Sequence, residues 1–387
     1  MKVGEKMEQK KLLTLLIVAV MVVAGAAAAV YVLSDNDDDN PTIVLGVADK
    51  NGYEPMIYAY YAGFFEDEKV NVDVKWEATG GTATTSLLAG QIDMTNAGST
   101  PVFNAIHTSP GVKIVASNCG QNLGTTSTVF ITQVGSTVDL GDLKSTFFNT
   151  DGTHNGTRIG MDATSGYYNV WTSLVDWAAI EEGLSAAQVN ILKSYNTGGA
   201  IFNSQEMTNV VASLATSTPV VNFVIGGSDV DKVAQFPSHL KYVYFPDEYL
   251  TDTMSSEGCG VYIVSQKAYE TNKEGILRAL KAIKRAADIL NDPESEQFDD
   301  ALEKVTDVVM SDKNQAIEEE FLKTRFWGIF LLADVLDTFN TEESKGASHV
   351  PGFDAWGSFT SEFLEEIWGD TPYTYDRVTG KYITNPI

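Results

Sequence analysis

The stretch Ala78–Ala105, ATGGTATTSLLAGQIDMTNAGSTPVFNA, decides how the chain is read. A short apolar helix, TTSLLAG, stops at Gly90, and the strand-like IDMTNA follows it. The polar turns TGGT and AGST stand before this helix and before the next one, PVFNAIH. The stretch has one acid, Asp93, and no cysteine, histidine or lysine. A polar turn that leads from a parallel strand into a helix exposes unpaired N–H groups. Together with the helix dipole they favour an anion or a polar oxygen.

Working outward, PTIVLGVA (41–48) reads as a buried strand, and DKNGYEP as a turn with Pro55 near a helix start. MIYAYYAGFF is helical to about Gly63, VNVDVKWE (70–77) alternates as a strand does, and KIVAS (113–117) closes a β-α-β-α-β-α-β series. Such a series implies a parallel sheet with helices on its faces. STVFIT (127–132) is a further strand, and a turn-rich excursion follows. The pattern then restarts: strand TRIGMD (157–162), turn ATSG, helix NVWTSLVDWAAIEEGL, strand VNILKSY (189–195), turn NTGG. MTNVVASLATST reads as a helix, and VVNFVIGG, KYVYFP and GVYIVS as strands. Residues 267–291 and 299–323 carry apolar residues at helical spacing, and the bases of the first segment fit a solvated face. The tail 344–387, with Trp356 and Trp368, reads as an ordered extension.

Five Ser/Thr/Gly turns fall in two matching sets: KNGYE, TGGT and AGST, then ATSG and NTGG. Any one of them is explained by ordinary helix capping. As two sets, they point to a crevice beyond the carboxyl ends of two groups of strands. The chain has 387 residues, with 52 acids against 26 bases and a formal charge of −26. That balance disfavours nucleic acid and anionic lipid as partners. Neutral, directional donors then serve where the surface has few cations.

The N-terminus has three parts. Residues 1–11 form a basic head with Lys2, Lys6, Lys10 and Lys11; residues 12–33 are almost wholly apolar; residues 34–41 are an acidic linker. About 22 apolar residues suffice to cross a bilayer. The charge asymmetry predicts a cytoplasmic head and an external globular part. The apolar segment is a retained anchor or a cleaved signal, and AAAAV offers a cleavage site. No cysteine follows it to carry a lipid. Only Cys119 and Cys259 occur, which is too few for a zinc site. His107, His154, His239 and His349 are scattered, Asp162 in GMDATSG reads as a structural cap, and no HExxH, GxSxG, phosphate loop or GxGxxG is present. Catalysis, metals and cofactors therefore find no support in the sequence.

LGVADKNGYEPMIYAYYAGFFEDEKVNVDVKW, then LLAGQIDMTNAGSTPVFNA and KIVAS, resemble the solute-binding proteins of ABC importers for nitrate, taurine, aliphatic sulfonates and thiamine precursors. RIGMDATSGYYNVWTSLVDWAAIEEGL and VYIVSQKAYETNKEGILRALKAIKRAADIL resemble the second-lobe opening and the return strand with its helix. The resemblance implies an α/β, two-lobe periplasmic-binding-protein type II fold: two Rossmann-like lobes with a hinge, an N-terminal transmembrane helix and a helical C-terminal extension. Lobe one would hold residues 42–125 and 259–387, and lobe two residues 126–258. A small solute would bind between them, with contacts from Tyr53, Glu54, Gly80, Gly81, Thr82, Ser99 and Thr100 in lobe one and Thr164, Ser165 and Tyr167 in lobe two. An ABC permease and ATPase would be the partners, reached from outside a cell membrane or by a secreted form. Cys119 and Cys259 fall near the inter-lobe crossings, either bridged or as two buried thiols. The sequence departs from the family pattern in three ways. Glu54 would oppose an anion, ATSTPVVNFVIGG lacks the acid and the aromatic–proline pair often found there, and no arginine stands ready to clamp a sulfonate. A neutral or zwitterionic ligand is therefore open. A ligand-sensing ectodomain is the alternative function, with a pyrimidine-precursor synthase-like enzyme behind it; the enzyme would require a histidine- and cysteine-bearing site.

Overall fold

Among the described residues, short runs between Gly- and Ser-rich turns give thirteen strands: β1 (Thr42–Ala48), β2 (Asn71–Glu77), β3 (Met94–Ala97), β4 (Lys113–Gln121), β5 (Val129–Gln133), β6 (Ile159–Met161), β7 (Ile201–Asn203), β8 (Phe223–Gly226), β9 (Leu240–Val243), β10 (Val261–Val264), β11 (Arg325–Phe330), β12 (Thr374–Asp376) and β13 (Lys381–Ile383). The computed structural model describes residues 40–387 except 51, 122–127, 164–165, 205, 228–232, 234, 247–248, 250–259, 310–314, 324, 341–353, 377–378 and 386–387. The apolar segment 12–33 lies outside the described residues; among those described, no helix is long and apolar enough to cross a membrane.

The strands form two larger sheets, ordered β2-β1-β3-β10-β4-β11 and β7-β6-β8-β5-β9, and β12 pairs with β13 as a separate hairpin. Both sheets repeat one plan. The second, first and third parallel strands are followed by one antiparallel strand that enters from the other lobe, and then by a fourth. In the first sheet the entering strand is β10, antiparallel to β3 and to β4. In the second it is β5, antiparallel to β8 and to β9. The chain therefore crosses between lobes after β4 and again after β9. The crossing residues, 122–127 and 250–259, lie outside the described set. Strands β3 and β10 are buried throughout; β10 (VYIV) reads as an unbroken apolar run, as expected where both faces are covered, whereas β3 (MTNA) buries Thr95 and Asn96.

Each lobe has its own core. The first gathers β1, β3, β10 and β11 with the Lys273–Leu290 and Phe298–Val309 helices. The second packs Phe147, Trp171, Leu174 and Phe223. A smaller cluster of Ile131, Val211, Leu214 and Val224 covers its other face.

Two readings change. VNILKSY is not a strand: most of it lies in the Ala186–Lys193 helix, and the strand beside β6 is Ile201–Asn203 instead. The cause is local. The Ser185 hydroxyl accepts from Gln188 N–H while Gln188 reaches back to Ser185 N–H, a reciprocal cap that starts a helix where the β-branched residues suggest extension. The helix over 299–323 is two helices, Phe298–Val309 and Gln315–Lys323. The NTGG turn is also shaped by packing. Gly198 has φ +88°, and a Cβ on Gly199 would lie 2.0 Å from the Ser194 carbonyl oxygen.

The Leu143–Phe147 helix shows the same dependence on its cap. Asp142 Oδ1 accepts from Ser145 N–H at 2.9 Å, and the Ser145 hydrogen bonds hold the Asp142 carboxyl below its ordinary range. Asp142→Ala is expected to destabilise by about 1 kcal/mol. Because the native carboxyl is depressed, this stabilisation is complete above the unfolded pKa and is lost as pH falls through the native one. Urea melts of the two proteins should converge below roughly pH 3.

Candidate functional site

The carboxyl ends of β1, β3 and β4 meet the amino ends of β10 and β11 at one end of the first sheet, where polar residues replace apolar ones. The loop after β1 is fastened there through one peptide group. Gly52, at φ +105°, donates its N–H to Glu54 Oε2 at 2.7 Å. Its carbonyl accepts from Asn96 Nδ2 at 2.6 Å and from Asn118 Nδ2 at 3.1 Å. With both amide nitrogens on one carbonyl, the amide orientation is fixed. The Oδ1 atoms of Asn96 and Asn118 are left buried without a hydrogen-bond partner, as is the Tyr262 hydroxyl. Tyr262 sits directly across from Asn96 on β10, and Gly260 is so close that a Cβ would lie 2.6 Å from Asn96 Oδ1. Burial raises the Tyr262 pKa well above the usual phenol value, and the nearby Cys119, Glu54 and Tyr53 add to the rise.

Tyr53 is buried and donates its hydroxyl to the Asn96 carbonyl; burial also raises its pKa. Gly80 is part of the same packing, since a Cβ there would stand 3.3 Å from Tyr53 Oη. The Gly80–Leu88 helix begins with a reciprocal cap. Thr79 accepts from Thr82 N–H at 3.2 Å, and Thr82 Oγ1 accepts from Thr79 N–H at 3.0 Å while donating to the Thr79 carbonyl at 2.8 Å. The Thr82 hydroxyl is thus committed to the helix start. The first-turn amides left over are those of Gly80 and Gly81, which have no intrahelical acceptor by geometry.

The structure brings Tyr53, Glu54 and Gly80 together, with Tyr53 and Glu54 buried and Gly80 half-buried. Gly81 and Thr82 are half-buried beside it. Ser99 and Thr100 open the Ser99–Thr108 helix, but their side chains lie outside the described set, as do Thr164 and Ser165 altogether. Tyr167 is half-buried against the second core. Cys119 is buried on β4, where Arg325 Nη1 lies 3.7 Å from its sulfur; Cys259 lies outside the described residues. Asp162 is buried just after β6. His154 stacks on Phe147 and contacts the Thr157 carbonyl, while His107 and His239 are exposed. Among the described residues, no group of His, Cys, Asp and Glu is placed to hold a metal.

Sequence reasoning missed Asn96, Asn118, Tyr262 and Arg325. A usable signal was the position of polar residues near the end of buried strands: VASN finishes an apolar run with an asparagine, and MTNA carries one next to its last residue. Arg325 was missed because the helical spacing of 299–323 stops short of RFWGIF, which forms the outer strand beside β4. Its guanidinium lies 4.5 Å above the Phe321 ring and 5.4 Å from that of Trp327.

Residues 36–192 match the model of the NMT1-like family. No curated protein matches the chain in sequence. In structure it is similar to the ligand-binding component of an ABC-type import system from Staphylococcus aureus, solved with zinc bound (TM-score 0.62, 11% identity, 85% of this chain and 99% of that one). It is also similar to the alkanesulfonate-binding protein SsuA from Xanthomonas axonopodis pv. citri, bound to MOPS (TM-score 0.60, 13% identity, 83% and 99%). A third similar structure is the periplasmic nitrate-binding protein NrtA from Synechocystis PCC 6803 (TM-score 0.58, 13% identity, 85% and 88%). The chain thus resembles the NMT1-like family over residues 36–192 and shares its two-sheet fold with periplasmic sulfonate- and nitrate-binding proteins.

Proposed function

We propose that this protein captures a small polar solute of the sulfonate or nitrate kind between its two lobes and delivers it to an ABC importer. In this reading it is a binding protein and not an enzyme. Residues 12–33 tether it to the cell membrane, with the two lobes outside. The observation that carries the reading is the buried polar group at the carboxyl ends of β1, β3 and β4, in one of two lobes built to the same plan. Ligands of open α/β sheets bind beyond the carboxyl ends of the strands. The family match and the folds of the sulfonate- and nitrate-binding proteins support it.

The chemistry narrows the solute class. The unpartnered oxygens of Asn96 and Asn118 are acceptors and suit a donor on the solute, while the unpartnered Tyr262 hydroxyl can donate or accept. First-turn amides of the Gly80–Leu88 helix suit an anionic or carbonyl oxygen. An amino-sulfonate satisfies both, and inorganic nitrate satisfies only the second.

The test is a thermal-shift panel of taurine, propane-1-sulfonate and nitrate, with products followed by mass spectrometry. Ligand at a hundred times its Kd should add about 2.7 kcal/mol to stability. Taurine is expected to raise the melting temperature most, and small-angle scattering should show the lobes drawing together. A flat response across the panel would sink the reading, and turnover of a bound compound would replace it with a catalytic one. For the tether, protease applied to intact cells expressing the chain should remove the globular part and spare residues 1–11.

A further inference from the structure

A groove of about 440 Å³ lies on the first lobe, lined by Asp49, Tyr61, Trp76, Glu77, Ala78 and Val308. None of these six residues belongs to the buried polar group described above. Trp76 stands on β2, the edge strand of its sheet, and is 46% exposed; Tyr61, in the Glu54–Tyr61 helix, is 48% exposed. Tyr60 meets both rings edge-on, with centroids 5.4 Å from Tyr61 and 6.4 Å from Trp76. Edge strands are commonly protected by charged side chains; here an aromatic cluster stands in that place.

Elsewhere in this protein some aromatic rings have a cation over them. Lys273 lies over Tyr269, Lys284 over Trp368 and Arg285 over Phe64. Among the described residues, no cation lies over Tyr61 or Trp76. Two carboxylates, Asp49 and Glu77, flank the rings, and no lining residue is basic. Glu77 Oε1 accepts from the Ser86 hydroxyl at 2.6 Å, which orients the carboxylate without neutralising it. Lys304 precedes Val308 by one helical turn but does not line the groove.

Aromatic faces attract a cation through their quadrupole, and adjacent carboxylates supply its counter-charge. We propose that this groove binds a small organic cation of the alkylammonium or guanidinium class. The acidic surface of the chain concentrates such ions around it. Its lining shares no residue with the group assigned to the solute, so the proposal does not depend on that reading.

The test is calorimetric titration of the full chain with tetramethylammonium chloride. Sodium chloride at equal ionic strength and tert-butanol, which has the same shape without the charge, serve as controls. Saturable binding is expected for tetramethylammonium alone, and it should weaken at least ten-fold in Trp76→Leu and in the Asp49→Asn/Glu77→Gln pair. The lining side chains are on the surface, and unchanged melting curves would show that the variants are folded. Equal heats from sodium would overturn the proposal, as would binding of tert-butanol at equal strength or variants that bind as well as the parent.

Discussion

Trp171→Ala is expected to lower the unfolding free energy by about 3–5 kcal/mol, and to do so in one lobe only. The indole is fully buried, with ring centroids 5.7 Å from Phe147 and 6.0 Å from Phe223. Its Nε1–H donates to the Leu192 carbonyl at 2.8 Å, tying the Gly166–Glu181 helix to the Ala186–Lys193 helix. Alanine leaves a cavity and strands that carbonyl. Trp171→Phe keeps most of the apolar fill but still loses the donor, for a loss of about 1–3 kcal/mol. The residue belongs to the second core, which shares no member with the first. Scanning calorimetry should therefore show one unfolding step shifted downward and the other unmoved. A single transition shifted as a whole would show that the lobes melt together, and an unshifted one would refute the assigned role of the indole.

The second large effect is expected at Asn96. Leucine matches its shape closely but removes the donor to the Gly52 carbonyl and the buried, unpartnered Oδ1. The carbonyl keeps only the longer bond from Asn118, at 3.1 Å rather than 2.6 Å. The stability loss should be about 1–3 kcal/mol. Solute affinity should fall at least ten-fold, equivalent to about 1.4 kcal/mol or more. Asn118→Leu should follow the same pattern with a smaller stability loss, since its bond is the weaker of the two. Calorimetric titration of taurine into each variant, at a temperature where both are folded, separates the two effects. Unchanged affinity in Asn96→Leu would remove this residue from the solute site.

Much of this architecture was legible in residues 41–117, because β1 reads as an apolar run and β2 as a strict alternation, and each turn carries a glycine. The second lobe was harder to read. Its strands β6 and β7 have three residues each, too short for a period to show. VNILKSY misled because β-branched residues are tolerated in a helix once Ser185 and Gln188 have started it. Strand β11 was missed because it completes the sheet from a point more than two hundred residues beyond β4, and only the folded pairing reveals it. At the site, the turn glycines could be found by pattern. Asn96, Asn118 and Tyr262 could not, since their meaning depends on three strands, distant in sequence, ending at the same height.

The insertion of β10 between β3 and β4 has a consequence for biosynthesis. The second lobe is one uninterrupted stretch of chain, from β5 to β9, and can finish folding as soon as it leaves the ribosome. The first lobe is begun earlier yet must wait with its sheet split until Val261–Val264 emerges to fill the gap. The part made first is completed last. A released fragment ending before residue 259 should protect the stretch from β5 to β9 against protease while β1 to β4 remain open to cleavage.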